Sequence, residues 1–544
     1  MIFLNVHFDK FSKDLVQDFA ECVAHKFANE LEIRLFPKKH SWAQGFKGNS
    51  SKFKSIWGGF SYIIILHLED FFFRFKAVES NYDWRILEQI DFVLIENLLA
   101  ISEINIYLGV KEKQENITKR ETLTLAIETC FKDEVSGLSW AGLEVVHESP
   151  STFVSVSMQN SNLELLQRLS GRYPTMHSVV KNIKFMRTIA LQMSLELLKN
   201  CAEIIDKELL QKEESVNFLS EDYPQLSVSK VFRYSFRQFT QVALGVMAHT
   251  RKAKVVPEWQ IAYAFCPWDK LADTEIHIVP NPAGRSLADP FVVTWDEQTV
   301  IFVEDIDLKT HQGSISVLEQ VENRNCEITK CFGEEFHLSF PFIFEFEEEL
   351  YMCPESSRSG GIRIYRCTQF PYKWEFVKEI VSGVAAVDTM IFHLENRWWM
   401  LTGVSNSGSL GRMSELHCFY SDSPLSSSWV AHTPEILIRN SSFGRNGGLI
   451  LDDKGVIRVR QSYGFKQYGS GLSLARVENL SKSEYSEAEI LRLQLKGETE
   501  LLGVHHLSSN GKVTAIDFLA ANDARAAKTL NELGILTVFP NVAT

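Results

Sequence analysis

The chain has 544 residues, 45% of them hydrophobic and 23% charged, with a formal net charge of -13. That length exceeds one ordinary core and implies two or three domains, and the composition is that of a folded protein. The acidic balance argues against a general affinity for nucleic-acid phosphates or anionic lipid, which both need a basic surface.

The first segment, "MIFLNVHF", reads as a strand and is followed by polar sequence, so no signal peptide is expected. "DLVQDFAECVAHKFANEL" has the spacing of an amphipathic helix. "SYIIILHLEDFFFRF" is apolar, but Glu69, Asp70 and Arg74 interrupt it. It falls short of the roughly twenty residues that cross a bilayer, and a cytoplasmic protein is expected. "DFVLIEN" (91–97) reads as a buried strand, and 177–200 as a long amphipathic helix. Residues 1–205 are therefore expected to form an α/β domain with a largely parallel sheet. Residues 206–256 turn polar, then helical, then basic, and read as a connector. Of nine cysteines, Cys326 and Cys331 come closest to a metal-binding spacing, but no second pair or histidine cluster completes it. No metal or cofactor is expected.

From Trp259 the pattern changes to runs of five to seven strand-like residues between Gly, Asn, Asp, Ser and Pro turns. One hairpin recurs: "SLADPFVVTWDEQTVIFVED", "LSFPFIFEFEEELYMCPES" and "AVDTMIFHLENRWWMLTGV". Aligning the copies puts Asp289, Phe340, Asp388 and Asn446 at one register, at intervals suited to four-stranded blades. A fifth unit, 501–519, has too few strands, and "EWQIAYAF" (258–265) is expected to pair with it and close the ring. The expected fold of 257–525 is an all-β five-bladed propeller, with 526–544 as a C-terminal tail.

In such a ring the starts of the inner strands converge on the axis. Asp289 and Asp388 are the expected catalytic carboxylates, with Glu355 at the end of "LYMCPE" as a third. Glu304, Arg445, Arg460, Gln461 and His505 are the expected ligand-binding groups: a further carboxylate, two Arg forks, an amide and an imidazole.

The segments "WQIAY", "ADPF", "SFPFIF…LYMCPES", "VDTMIF…RWWML", "FYSDSPL" and "GVHHL…AID" carry a resemblance. In order over about 255–520, they resemble the propeller-type region at the N-terminus of plant glucosamine inositolphosphorylceramide transferases and their bacterial relatives. The propeller also looks like the arabinanase and β-xylosidase clan of family 43-like glycosidases. That clan's inverting site has two Asp followed by a Glu acid. Here Asn446, Arg460 and Gln461 stand where the Glu would be, and Glu355 comes earlier in the chain. More faintly, "GLSWAGLEVVHESPSTFVSVSMQN" with the following helix resembles the end of a formyltransferase-like domain. Where that family's His should lie, the chain has Glu128 and Thr129, which implies a degenerate relative without formyl transfer.

These readings together imply a sugar-handling protein, a glycosyl or related group transferase of envelope glycan assembly with its ligand in the propeller axis and a sugar nucleotide as a conceivable donor. A glycoside hydrolase of furanosides or xylosides, with Glu355 as acid, and a non-catalytic glycan-binding scaffold remain as alternatives.

Overall fold

A computed structural model of the chain describes residues 2–8, 13–26, 31–37, 103–107, 122–128, 142–160, 165–205, 228–248, 258–319, 327–404, 414–465, 467–493 and 501–520. Apart from 406–411, it divides into two compact units, residues 1–252 and 253–544. The segments 91–97 and 526–544, and Thr129 of the pair expected in place of the formyltransferase His, lie outside the described residues.

The first unit is built on a six-stranded sheet. Strands β1 (Ile2–Phe8), β2 (Leu31–Pro37), β3 (Glu103–Tyr107) and β4 (Thr122–Glu128) run parallel in the order β2-β1-β3-β4. β5 (Ser151–Gln159) and β6 (Leu165–Pro174) then add antiparallel. Helix α1 (Lys13–Lys26) joins β1 to β2, and α2 (Leu143–His147) precedes β5. Helix α3 (Val179–Ile205) lies against β5 and β6 and buries Val180, Ile183, Met186, Ala190, Met193 and Leu197. These positions recur at three- and four-residue steps, which makes one apolar helix face. Helix α4 (Val228–Ala248) packs near α2, and its Tyr234 hydroxyl accepts from the Val179 N–H at 3.1 Å. The sheet is thus mixed, parallel at its centre and finished by one hairpin.

The second unit is all-β. Its first sheet holds β9 (Arg285–Trp295), β10 (Gln298–Asp307), β11 (Gln312–Glu319) and β12 (Glu327–Phe332), after β7 (Glu258–Ala264) and β8 (His277–Val279) have been given to another sheet. The second is β13 (Ser339–Phe346), β14 (Glu349–Glu355), β15 (Gly361–Gln369) and β16 (Lys373–Ser382). The third is β17 (Val387–Leu394), β18 (Arg397–Gly403), β19 (Glu415–Ser421) and β20 (Val430–Arg439). The fourth is β21 (Asn446–Asp452), β22 (Gly455–Gly464), β23 (Gln467–Leu480) and β24 (Tyr485–Leu493). The last sheet joins the two ends of the unit. β25 (Leu501–Gly503), β26 (Leu507–Ser509) and β27 (Thr514–Ala520) meet β7, whose Ala264 to Glu258 pair in register with Thr514 to Ala520. The closure expected of "EWQIAYAF" is therefore observed. The inner strands β9, β13, β17, β21 and β26 each neighbour the next, and β26 returns to β9. This is a propeller-like ring of four four-stranded sheets and a five-stranded closing sheet, with no open edge at the join.

The repeated hairpin has a repeated backbone. In the first three sheets the inner pair turns through two residues of positive φ: Asp296–Glu297, Glu347–Glu348 and Glu395–Asn396. Such left-handed pairs match the twist of the strands they join. Each of the first four inner strands also carries a bulge near its start, where the register slips by one residue. At that bulge Asp289, Phe340 and Asp388 have φ of 49°, 45° and 48°. The fourth sheet uses Gly448 instead, with φ 128°, where a Cβ would lie 2.2 Å from the Leu507 carbonyl oxygen.

A buried ionic network stiffens the fourth sheet. The Arg458 side chain, fully buried, donates from Nε and Nη2 to the two Glu487 oxygens at 2.8 Å each, and from Nη2 to the Phe443 carbonyl at 2.7 Å. Burial alone would raise the Glu487 carboxyl, but the charge and hydrogen bonds of Arg458, then Arg460, bring it down to about 2. The depressed value means that Glu487 stabilises the fold above its ordinary value of 4.5, and that this stability is lost as pH falls from there toward 2. Arg458→Ala, which leaves Glu487 with only Arg460 and the Tyr485 hydroxyl, is expected to cost about 2–4 kcal/mol in denaturant unfolding and to flatten that acid limb. A cost below about 1 kcal/mol, the size of a surface pair, would show that the network is solvated.

Candidate functional site

The bulges bring the register residues to the axis and tie the sheets together there. The Asp289 N–H donates to Asp517 Oδ2 at 3.1 Å, and Asp289 Oδ2 accepts from the Phe340 N–H at 3.1 Å. Asn446 Nδ2 donates to the Asp388 carbonyl at 2.9 Å. Each link joins neighbouring sheets, so a residue that opens an inner strand also clasps the next. Phe340 has no chemical role in this set. Its ring is fully buried, 5.0 Å from Phe291 and 5.3 Å from His506, so it packs in the core of the ring.

Asp388 is held by three donors. Arg445 reaches it through Nε and, at 3.2 Å, through Nη2, and Gln461 Nε2 donates to Oδ2 at 3.3 Å. Arg445 Nη2 also lies 3.9 Å from Glu355 Oε2, so one guanidinium serves two carboxylates. Burial pushes Glu355 up to about 7, helped by the charges of Asp388 and Glu304, while Arg445 and the Ser357 hydroxyl pull the other way. Ser357 Oγ donates to Glu355 Oε1 at 3.1 Å. Asp289 is likewise held well above the carboxylate range, by burial first and then by Glu304, Asp517 and Asp388.

Behind Asp289 lies a second layer, in which the expected His505 meets Asp517, a residue not among the expected ones. His505 Nε2 is 3.4 Å from Asp289 Oδ1, and its Nδ1 is 2.8 Å from Asp517 Oδ2. Asp517 also accepts the N–H groups of His505 and His506 at 3.0 and 2.9 Å. Burial would raise Asp517, but the neighbouring His505 and these donors bring it below its ordinary value. Ligand atoms of Asp289, His505 and Asp517 lie within 4.8 Å of one another, close enough to surround a cation. Three backbone N–H groups already occupy the Asp517 oxygens, however, which suits a hydrogen-bonded anchor better than a metal ligand.

Glu304 completes the cluster from β10. It pairs at 2.9 Å with Nε2 of His337, whose Nδ1 accepts from the Gly313 N–H at 2.8 Å. A ring nitrogen that accepts carries no proton, so this contact fixes the proton on Nε2, pointing at Glu304. Side-chain exposure rises from 0% at Asp517 through 3% at Asp388 and 7% at Asp289 to 10% at Arg445 and 13% at Glu355. The cluster therefore opens on the Glu355–Arg445 side.

Seven expected residues are brought together: Asp289, Asp388, Glu355, Glu304, Arg445, Gln461 and His505. Arg460 is not. Its guanidinium turns along its own sheet to Ser473 at 2.9 Å, Glu487 at 3.1 Å and Glu489, so the expected axial role is corrected to a structural one. Residues 458 and 460 share one face of β22, and that face meets the acidic side chains of β24.

The comparisons with known proteins fall on this unit. Residues 276–520 match the family model described as glucosamine inositolphosphorylceramide transferase 1, N-terminal. Glucosamine inositolphosphorylceramide transferase 1 of Arabidopsis thaliana is 33% identical over 230 residues, covering 40% of this chain and 30% of that protein. The protein of the same name from Oryza sativa subsp. japonica is 29% identical over 245 residues, covering 42% and 33%. The chain thus spans about a third of the length of these curated relatives. Among solved structures, the catalytic domain of the Coprinopsis cinerea GH62 α-L-arabinofuranosidase is 10% identical, with a TM-score of 0.33, covering 43% of this chain and 90% of that one. A β-1,2-mannobiose phosphorylase from Listeria innocua is 11% identical, with a TM-score of 0.31, covering 49% and 99%. All the axial residues named above fall inside the matched 276–520 segment.

Asp517→Asn is expected to destabilise the ring by at least about 2 kcal/mol, because an amide nitrogen would face backbone donors that now meet a carboxylate. Unchanged denaturant unfolding of this variant would show that the three N–H contacts contribute little to closure.

Proposed function

We propose that the axis of residues 253–544 is a carbohydrate site equipped for acid–base chemistry at a glycosidic linkage, within a protein of glycan assembly. One observation carries the reading: Glu355, the most exposed carboxylate of the Asp388–Arg445 cluster, is held near pH 7 and so can supply a proton at neutral pH. Asp388, fixed by Arg445 and Gln461, is the oriented partner that keeps the guanidinium and the acid in place. Asp289 lies against His505 and Asp517, and because burial holds its carboxyl well above the carboxylate range it is a hydrogen-bonding group for the sugar and not the base. Glu355 thus supplies the proton donor that the fourth sheet lacks.

The same geometry restricts the ligand. Arg445 is already shared between two carboxylates, and Arg460 is committed to Glu487 and Glu489. A nucleotide diphosphate at the axis would meet Asp289, Glu304, Glu355 and Asp388 instead of a cation, so the group bound there is an uncharged sugar. The name shared by the plant relatives supports transfer within glycan or glycolipid assembly over degradation.

Thermal-shift screening with oligosaccharides, sugar nucleotides and free nucleotides tests this directly. Stabilisation by an oligosaccharide but not by a nucleotide is expected, and the reverse pattern would overturn the assignment. Turnover of a glycoside by the full chain should be sustained below about pH 7 and fall as pH rises through the Glu355 value, because the raised group is then deprotonated. Glu355→Gln should abolish turnover with little loss of stability. A variant retaining full activity would remove Glu355 from the acid role.

A further inference from the structure

Three aromatic side chains border the cluster without belonging to any core. Trp259 opens β7, and Tyr463 and Tyr468 flank the tip of the β22–β23 hairpin. All three are partly buried, yet none packs into the hydrophobic clusters that fill the sheets. The Trp259 and Tyr468 rings stand 6.2 Å apart at 83°, a right-angled corner, and Tyr463 lies 6.5 Å from Tyr468. Trp259 rests on His505, with ring centres 4.0 Å apart. The Arg445 guanidinium sits 4.9 Å from the centre of the Tyr468 ring, so the corner adjoins the group that holds Asp388 and Glu355. Gly469 permits this approach. It has φ 63°, and a Cβ there would lie 2.7 Å from His505 Cβ and 2.9 Å from the Trp259 ring.

Resting on the carbohydrate reading above, we propose that Trp259, Tyr463 and Tyr468 form a stacking subsite for a second sugar ring, which makes the preferred ligand an oligosaccharide and not a single sugar. A pyranose presents C–H groups on its faces and hydroxyls around its edge. The faces suit the electron-rich faces of aromatic rings, and the corner offers two such surfaces at right angles. The edge hydroxyls need acceptors, and one is ready. Gln461 is 3% exposed, its Nε2 is spent on Asp388, and its Oε1 has no hydrogen-bond partner among the described residues. A buried carbonyl left unpaired is costly, and a sugar hydroxyl would satisfy it. The Tyr468 hydroxyl, kept protonated by burial, lies in the field of Arg445, Asp388, Asp289 and Glu355 and adds a donor on the same side.

The test uses the full chain and isothermal calorimetry with xylotriose, arabinotriose and chitotriose, beside xylose, arabinose and N-acetylglucosamine. At least one trisaccharide should bind, and more tightly than its monosaccharide. Tyr468→Ala and Trp259→Ala should each weaken that binding about ten-fold, the effect of one lost stacking contact, while Tyr468→Phe keeps most of it. Binding should also shift the indole fluorescence of the wild type but not that of Trp259→Phe, a readout that a purely structural role would leave unmoved. If both alanine variants fold and bind the trisaccharide like the wild type while Asp388→Asn abolishes binding, the stacking subsite is overturned and the carbohydrate site stands. Binding of none of the three trisaccharides would overturn both.

Discussion

The axis of the second unit depends on a strained backbone position repeated around the ring. A non-glycine residue in the left-handed region costs roughly 1–2 kcal/mol, yet Asp289, Phe340 and Asp388 all adopt it. The bulge turns the start of each inner strand so that its first side chain and N–H face the neighbouring sheet instead of continuing the ladder. The hydrogen bonds recovered there, Asp289 to Asp517, Phe340 to Asp289 and Asn446 to Asp388, are what hold the strain in place. The feature that ties the sheets together is thus the same one that delivers two carboxylates to the centre.

Gathering carboxylates creates an electrostatic problem that the rest of the site resolves in graded fashion. At the bottom, Asp517 is ionised and saturated by backbone donors. In the middle, Asp388 takes most of the Arg445 guanidinium. Glu355, the most exposed of these at 13%, lies 3.9 Å from that cation, and burial with the charge of Asp388 raises its carboxyl against the pull of Arg445. One arginine among several acids therefore does more than neutralise charge. It orients Asp388 through two donors and only partly offsets the burial that raises Glu355.

The first unit follows different physics. Its parallel strands bury Leu4, Val6, Ile104, Ile106, Leu123 and Leu125 beside the polar Asn105 and Thr124, and its β5–β6 hairpin and α3 finish it with a local polar clasp. Asn182 Nδ2 donates to Thr152 Oγ1 at 2.9 Å, and its Oδ1 accepts from the Met176 N–H at 2.9 Å. No helix among its described residues is long and apolar enough to cross a membrane.

Much of this was legible in the sequence because repetition is a local property. The recurring hairpin, the shared register of Asp289, Phe340, Asp388 and Asn446, and the closing strand within 258–265 could all be read from spacing and alternation. The axial set was legible in part, since residues that open equivalent strands must converge when the strands are radial. What alternation cannot give is the neighbour across two strands or across the ring. Arg445 and Arg460 look alike on the page, yet Arg445 precedes the fourth inner strand and reaches Asp388, while Arg460 lies within β22 and meets Glu487 and Glu489. Asp517 and Tyr468 sit 228 and 80 residues from their partners Asp289 and Asp388, so no window of sequence connects them. The protonation of Glu355 was equally hidden, because it depends on burial and on a distance to one guanidinium that only the closed ring defines.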